Sequence, residues 1–234
     1  MGHEKSDRIQ TSLLNSVEKK ILVWLAQRQP SWVTSDILTY LGVFGAFVCA
    51  VGFALASVNV YYLWLSSFGL LINWYGDSLD GTLARVRQTQ RPKYGFFIDH
   101  SLDAITICIM CIGAGLSPIF RFDVALLVLV AYLVISIYTY ICTILKDEFR
   151  LTYAGMGPTE FRLVIILLNT VYMYIRPLRE WSCTVAGQGL GLFDIVGIAI
   201  ALFIAFMWIS QWLKDRKYLS KRDPLKKAEP KEQK

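Results

Sequence analysis

Residues 77–103 read DSLDGTLARVRQTQRPKYGFFIDHSLD, and this stretch is the most informative part of the chain. It joins two apolar segments and places four carboxylates at their ends: Asp77, Asp80, Asp99 and Asp103. A charged side chain inside a bilayer costs about 2.5–3.5 kcal/mol on insertion scales, so a cluster of like charges beside apolar segments indicates a functional site. Divalent cations would neutralise such a cluster.

The spacing of these carboxylates predicts two metal-binding pairs. On helices, Asp77 and Asp80 are separated by three positions and Asp99 and Asp103 by four, so each pair presents both carboxylates on one helix face. Carboxylate oxygens are the ligands that Mg²⁺, Mn²⁺ and Ca²⁺ prefer, and no Cys or His cluster in the sequence has zinc spacing. Two facing pairs could hold two metal ions roughly 3.5–4 Å apart, the arrangement that assists phosphoryl displacement.

Small and cationic residues follow the first pair. Gly81 and Ala84 leave room for substrate atoms to approach the backbone. Arg85 supplies a planar guanidinium that suits phosphate. The segment therefore combines oxygen ligands for metal ions with a group that binds phosphate.

The residues of this segment together resemble the signature of the CDP-alcohol phosphotransferase family. That signature is D-x2-D-G-x2-A-R-x9-G-x3-D-x3-D, and every position of it is filled here. Members of the family transfer a phosphoalcohol or phosphatidyl group from a CDP-linked donor to a hydroxyl acceptor and release CMP. The resemblance implies an enzyme of phospholipid biosynthesis that uses two Mg²⁺ or Mn²⁺ ions and forms a homodimer.

The resemblance also implies residue roles. All four aspartates would bind the two metal ions, and Asp103 is a family candidate for the general base. Family members often carry Pro-Asn-x-Leu-Thr at the start of the first span, where this chain has SDILT at residues 35–39. Asp36 is expected to cap that helix or to contact nucleotide. The expected CDP-binding residues are Gly81, Ala84, Arg85, Gly95 and Thr39.

A narrower resemblance concerns His100, which lies between Asp99 and Asp103. Asp99-His100-x2-Asp103 resembles the DH-x2-D of the branch that moves phosphocholine or phosphoethanolamine from a CDP-aminoalcohol onto a lipid hydroxyl. GPTE at residues 157–160 resembles a GPxE segment of the same branch. An imidazole suits general-base work near neutral pH. The alternative is that His100 faces away from the metal ions and only packs.

The expected acceptor-binding residues are Glu160 and Arg162. A guanidinium at residue 162 would favour an anionic acceptor, which conflicts with the lipid hydroxyl of the aminoalcohol branch. The alternative function is therefore a CDP-diacylglycerol-dependent phosphatidyltransferase with serine, glycerol phosphate or inositol phosphate as acceptor. More remote alternatives are an aspartate-rich membrane prenyltransferase and a non-enzymatic carrier of divalent metal ions.

Composition predicts an all-α integral membrane bundle. The chain has 234 residues, of which 55% are hydrophobic, and a mean hydropathy of +0.44, too apolar for an ordinary soluble domain. Six apolar stretches each approach the roughly 20 residues that a helical span requires. They cover residues 37–57, 60–79, 96–116, 122–145, 158–176 and 190–213.

Lysine and arginine predict the orientation of these six spans. With both termini cytosolic, the inner segments contain 21 of the 24 Lys and Arg residues, as the positive-inside rule requires. This orientation places the four aspartates at the cytosolic ends of spans 2 and 3, where a soluble cytidine nucleotide could reach them. The net charge of +6 therefore reflects topology and attraction to anionic lipid, not nucleic-acid binding.

Two charged regions flank the predicted catalytic domain of residues 36–213. In residues 1–35, an apolar stripe predicts an amphipathic helix in the cytosolic membrane interface, with a soluble partner helix as the alternative. The stripe consists of Ile9, Leu13, Val17, Ile21, Trp24 and Leu25. Residues 214–234 are predicted to form a basic, solvated cytosolic tail.

Overall fold

Helices form most of the molecule. The computed structural model describes residues 8–9, 14–146, 149–150, 157–185 and 187–224. The helices are α1 (Asn15–Gln27), α2 (Ser35–Leu55), α3 (Leu63–Val86), α4 (Pro92–Gly115), α5 (Phe122–Lys146), α6 (Pro158–Tyr174), α7 (Arg176–Glu180) and α8 (Leu192–Arg222). A short 3₁₀ helix at Val60–Tyr62 leads directly into α3.

Two pairs of short strands accompany the helices. β1 (Arg8–Ile9) pairs in parallel with β2 (Phe149–Arg150), and β3 (Ser182–Val185) pairs antiparallel with β4 (Gln188–Gly191). Gly187 lies between β3 and β4 with a φ of 80°, a conformation that glycine adopts without steric cost. The predicted all-α architecture is confirmed apart from these strands.

Four helices of the described chain are long and apolar enough to cross a membrane, namely α2, α4, α5 and α8. α3 has 24 residues but carries Asn73, Asp77 and Asp80. α6 has 17 residues, which is the lower limit for a span. The described helices thus support a membrane-embedded protein, and the count of six spans stays a prediction.

Close packing of α2 on α3 sets the geometry of one side of the candidate site. A Cβ atom on Gly45 would lie 2.4 Å from the backbone nitrogen of Asn73, and a Cβ on Gly76 would lie 2.4 Å from that of Gly42. Both distances are far below van der Waals contact, so these positions must be glycine for the helices to approach this closely. The contact holds the first turns of α2 beside the C-terminal half of α3.

The N-terminal helix α1 also packs against α3. Leu22 and Ala26 of α1 are buried in an apolar cluster with Leu79 and Leu83 of α3. The guanidinium of Arg87, just after α3, donates hydrogen bonds to three backbone carbonyl groups in the link between α1 and α2. α1 is therefore attached to the same end of α3 that carries the aspartates.

The apolar stripe of the N-terminal region differs from the prediction. α1 begins at Asn15 and Ile9 lies in β1, so the six positions do not share one helix face. Leu13 lies outside the described residues. Leu25 packs against the protein, whereas Val17 is 57% exposed. The location of this helix in the membrane interface stays a prediction.

α8 continues past the predicted end of the membrane domain at residue 213. The carboxylate of Asp215 is buried and accepts hydrogen bonds from the hydroxyl of Tyr138 and from Nε2 of Gln211, the latter at 3.2 Å. The contact with Tyr138 attaches the extension to α5, and the helix ends at Arg222. The first part of the predicted tail is therefore helical, and residues 225–234 lie outside the described part.

Candidate active site

The two carboxylate pairs lie on α3 and α4, on either side of the link at residues 87–91. Asp77 and Asp80 are in the C-terminal half of α3, and Asp99 and Asp103 are in the N-terminal half of α4. The carboxylate of Asp99 interacts electrostatically with the other three. The fold thus brings all four aspartates together at one end of the bundle.

The carboxylates of the first pair are held by side chains from other helices. Nη2 of Arg162 on α6 donates to Oδ2 of Asp77 at 2.5 Å. Oγ1 of Thr39 on α2 donates to Oδ2 of Asp80 at 2.6 Å, and Oγ of Ser35 donates to the backbone oxygen of Asp80 at 2.9 Å. Such outer partners orient ligand carboxylates in metal sites.

On α4, one ligand atom from each of Asp99, His100 and Asp103 lies within 4.8 Å of the others. Nδ1 of His100 is 3.5 Å from Oδ2 of Asp99 and 3.9 Å from Oδ2 of Asp103. The imidazole ring stacks on Tyr140 of α5 with centroids 4.8 Å apart, and Phe96 contacts it edge-on at 4.2 Å. His100 therefore packs among aromatic rings while its Nδ1 faces two carboxylates.

The glycines predicted to bind CDP are not required by internal packing. A Cβ on Gly81 would meet only the guanidinium of Arg85, at 3.5 Å, and a Cβ on Gly95 would meet nothing within 4 Å. This differs from Gly45, where another helix fills the space. Arg85 is exposed and donates to Oγ1 of Thr82 at 2.9 Å. The open space beside these residues is what a bound substrate would need.

The two predicted acceptor residues take different positions. Glu160 is 9% exposed, and its carboxylate accepts the backbone N–H of Gly157 at 2.9 Å and that of Leu14 at 3.2 Å. It therefore caps α6 and attaches the segment that leads into α1. Arg162 lies in the carboxylate cluster itself. Acceptor binding by either residue stays a prediction.

Residues outside the predicted set also contribute to the site. Asn73 accepts a hydrogen bond from Nε of Arg162 at 2.9 Å, and Tyr132 of α5 interacts electrostatically with Asp103 and Asp77. Asn73 was detectable from the sequence, because it lies four residues before Asp77 and so on the same face of the helix. No local pattern in the sequence singles out Tyr132.

Thr34 caps α2, and Asp36 does not. Oγ1 of Thr34 accepts the backbone N–H of Ile37 at 3.3 Å. The expected capping role of Asp36 is therefore wrong, since its carboxylate instead lies 3.7 Å from Nη1 of Arg91 and accepts a hydrogen bond from Tyr94 at 3.4 Å. Side-chain oxygens of Thr and Asp are both good caps, and the structure shows that Thr34 is the residue that accepts the backbone N–H.

Comparison with known proteins assigns the family. A sequence model described as CDP-alcohol phosphatidyltransferase matches residues 32–214, which include the whole site. The chain belongs to the CDP-alcohol phosphatidyltransferase family. This family of phosphotransferases is the one that the motif of residues 77–103 resembles, so the resemblance is confirmed. Nothing in the family match supports the prenyltransferase or the metal-carrier alternative.

The chain is also similar to a curated protein whose name states an activity. Cholinephosphotransferase 1 from Danio rerio is 27% identical over 194 residues, a region that covers 75% of this chain and 47% of the relative. The chain thus spans about half the length of that curated relative. The name of this relative specifies phosphocholine transfer.

The donor atoms at the family site suit hard divalent cations. The described residues include a group that could hold a metal ion, formed by Asp99, His100 and Asp103. Asp77 and Asp80 add further carboxylate oxygens from α3. Carboxylate oxygens match the ligand preference of Mg²⁺ and Mn²⁺. The residues present therefore fit the divalent metal that the family resemblance implies.

Proposed function

We propose that this protein moves a phosphoalcohol group from a CDP-aminoalcohol to a lipid hydroxyl and releases CMP. The observation that carries the proposal is the Asp99, His100 and Asp103 group facing the aspartates of α3 in a chain of this family. The similarity to a cholinephosphotransferase supports the choice of an aminoalcohol donor. The assembly proposed from the family resemblance is a homodimer.

The proposed reaction is an in-line displacement at the β-phosphorus of the donor. The acceptor oxygen forms a bond to that phosphorus, and the bond from phosphorus to the bridging oxygen breaks, so CMP departs with the bridging oxygen. The hydroxyl proton passes to His100 or to Asp103, whose side chains lie beside each other. Two divalent ions bound by the four aspartates would neutralise the diphosphate and the departing phosphate.

Protein groups would position the substrates around these carboxylates. The Arg85 guanidinium is exposed near the open space at Gly81 and would hold a phosphate oxygen of the donor. Ala84, Gly95 and Thr39 complete the proposed CDP site. Thr39 also donates to Asp80, which links the first span to a proposed metal ligand. A lipid acceptor requires the site to open sideways to the bilayer as well as to the cytosol.

A test of donor choice uses the purified protein in lipid vesicles with Mn²⁺. We expect CMP release from CDP-choline or CDP-ethanolamine when a lipid with a free hydroxyl is present. CDP-diacylglycerol offered with serine, glycerol phosphate or inositol phosphate is expected to yield none. The opposite pattern would replace the proposal by the CDP-diacylglycerol-dependent alternative, which the cationic Arg162 at the carboxylate cluster favours.

The proposed cytosolic location of the site predicts one-sided thiol labelling. Gln90 is exposed in the link between α3 and α4. Glu180, 68% exposed, lies at the other end of the bundle. In a Cys183→Ser background, an impermeant reagent should label Gln90→Cys only from the cytosolic side and Glu180→Cys only from the opposite side. Reversed labelling would refute the orientation.

A further inference from the structure

A buried chain of hydrogen bonds connects three helices at the carboxylate cluster. Arg162 on α6 donates from Nη2 to Asp77 at 2.5 Å and from Nε to Oδ1 of Asn73 at 2.9 Å. Nδ2 of Asn73 in turn donates to the backbone oxygen of Gly42 on α2 at 2.9 Å. The side chain of Arg162 is 15% exposed and Asn73 is 2% exposed. The guanidinium is therefore held away from bulk water.

The direction of each hydrogen bond fixes the Arg162 guanidinium. Gly42 offers a carbonyl, so the amide of Asn73 must turn its NH₂ group toward Gly42 and its oxygen toward Arg162. Nε of Arg162 then donates to Asn73, and because the guanidinium is planar, this bond directs Nη2 toward Asp77. Since arginine stays protonated in proteins, this geometry places a permanent positive charge against a proposed metal ligand.

The same charge acts on more than one carboxylate. Arg162 interacts electrostatically with Asp103 as well as with Asp77. Burying a guanidinium costs desolvation free energy, which a nearby carboxylate offsets. Asp99 interacts electrostatically with the other three aspartates, and Arg162 partly neutralises this accumulated negative charge from within the chain. A divalent ion bound by these carboxylates would supply positive charge to the same place.

We propose that Arg162 is a positioning residue that serves as the internal counter-charge of the metal-free carboxylate cluster. It orients Asp77 and partly neutralises the four aspartates until a divalent cation binds. Arg162 and the metal ion then repel each other across the shared carboxylates. Arg162 therefore stabilises the metal-free protein more than the metal-loaded protein. This inference rests on the proposed metal site and adds a role that catalysis alone does not require.

The test is a thermodynamic cycle of Arg162→Gln and Mn²⁺, read from thermal unfolding of the full chain in detergent with excess EDTA or saturating Mn²⁺. Glutamine keeps an N–H donor near the position of Nε, which donates to Asn73, but it lacks the charge and the Nη2 group that donates to Asp77. We expect Arg162→Gln to lower the Tm in EDTA by more than in Mn²⁺, so its Tm gain on adding Mn²⁺ exceeds that of the unchanged protein. Its Mn²⁺ Kd should fall roughly tenfold, a typical size for coupling between two sites.

Two further variants separate charge from packing. Arg162→Lys retains the charge without the fork, so its Tm gain on adding Mn²⁺ should match that of the unchanged protein even if its overall Tm is lower. Arg87→Gln removes an arginine whose hydrogen bonds, within the described part of the chain, go to the backbone carbonyls of Gln29, Pro30 and Val33. That control should lower the Tm equally in EDTA and in Mn²⁺.

The outcomes test the counter-charge role of Arg162 and the metal site separately. An equal or smaller Tm gain in Arg162→Gln than in the unchanged protein would overturn the counter-charge role. If Arg162→Gln does not fold, Arg162→Lys decides the point. A Tm gain of Arg162→Lys on adding Mn²⁺ that differs from that of the unchanged protein would overturn the counter-charge role. No response of the unchanged protein to Mn²⁺ would refute the metal site itself, and with it this inference.

Discussion

Replacing Asp80 or Asp99 by asparagine is expected to lower transfer activity by at least roughly 10³-fold, because loss of an outer partner of a metal ligand already costs about 10–100-fold. Asparagine keeps the shape of the side chain and removes the charge that would bind the cation. The two positions test one carboxylate from each helix of the site. The measurement is CMP release at saturating donor and Mn²⁺.

The matched control for these variants is Asp123→Asn. Asp123 begins α5 at the opposite end of the bundle, where its 65% exposed side chain pairs with Arg121 at 2.7 Å. An exposed ion pair of this kind contributes little to stability, so activity should be unchanged. Substantial activity in Asp80→Asn or Asp99→Asn, or full activity of the unchanged protein in excess EDTA, would contradict the proposed two-metal mechanism.

Removing the imidazole of His100 is expected to lower kcat by ~10²–10⁴-fold, the usual contribution of general acid–base catalysis. The best variant is His100→Phe, because a phenyl ring can keep the contacts with Tyr140 and Phe96 while the basic nitrogen is lost. The KM for the CDP-linked donor should change little, since the proposed role lies in proton transfer. The limb of the pH–rate profile that reports the general base should disappear.

A packing role for His100 predicts a different result. His100→Phe would then be nearly as active as the unchanged protein, whereas His100→Ala would lose activity together with thermal stability. Tyr140→Phe is the control, because it keeps the ring that stacks on His100 and removes only the hydroxyl. Near-normal activity of His100→Phe would leave Asp103 as the base and remove the main support for the CDP-aminoalcohol donor.

Local spacing in the sequence predicted much of the site. Asp77 and Asp80 lie on one helix and Asp99 and Asp103 on the next, as their separations indicated. The helical period decides which side chains share a face, and it needs no knowledge of the rest of the chain. The family was predicted for the same reason, since its signature lies within residues 77–103.

Element boundaries were predicted less well where tertiary contacts extend or interrupt a helix. α8 passes residue 213 because the extension is attached to α5 through Asp215 and Tyr138. The predicted N-terminal helix begins later than its apolar stripe, and Ile9 pairs with a strand near residue 150 instead. Apolar periodicity alone does not report such long-range contacts.

The sequence by itself determined the helical membrane character of the protein, its family, and the two carboxylate pairs, because these depend on composition and on spacing along one helix. Only the tertiary structure decided which distant groups meet those carboxylates. Arg162 reaches Asp77 across 85 positions of the chain, and Thr39 reaches Asp80 across 41. Such pairs depend on how closely α2, α3 and α6 pack, and glycine contacts set the distance between α2 and α3.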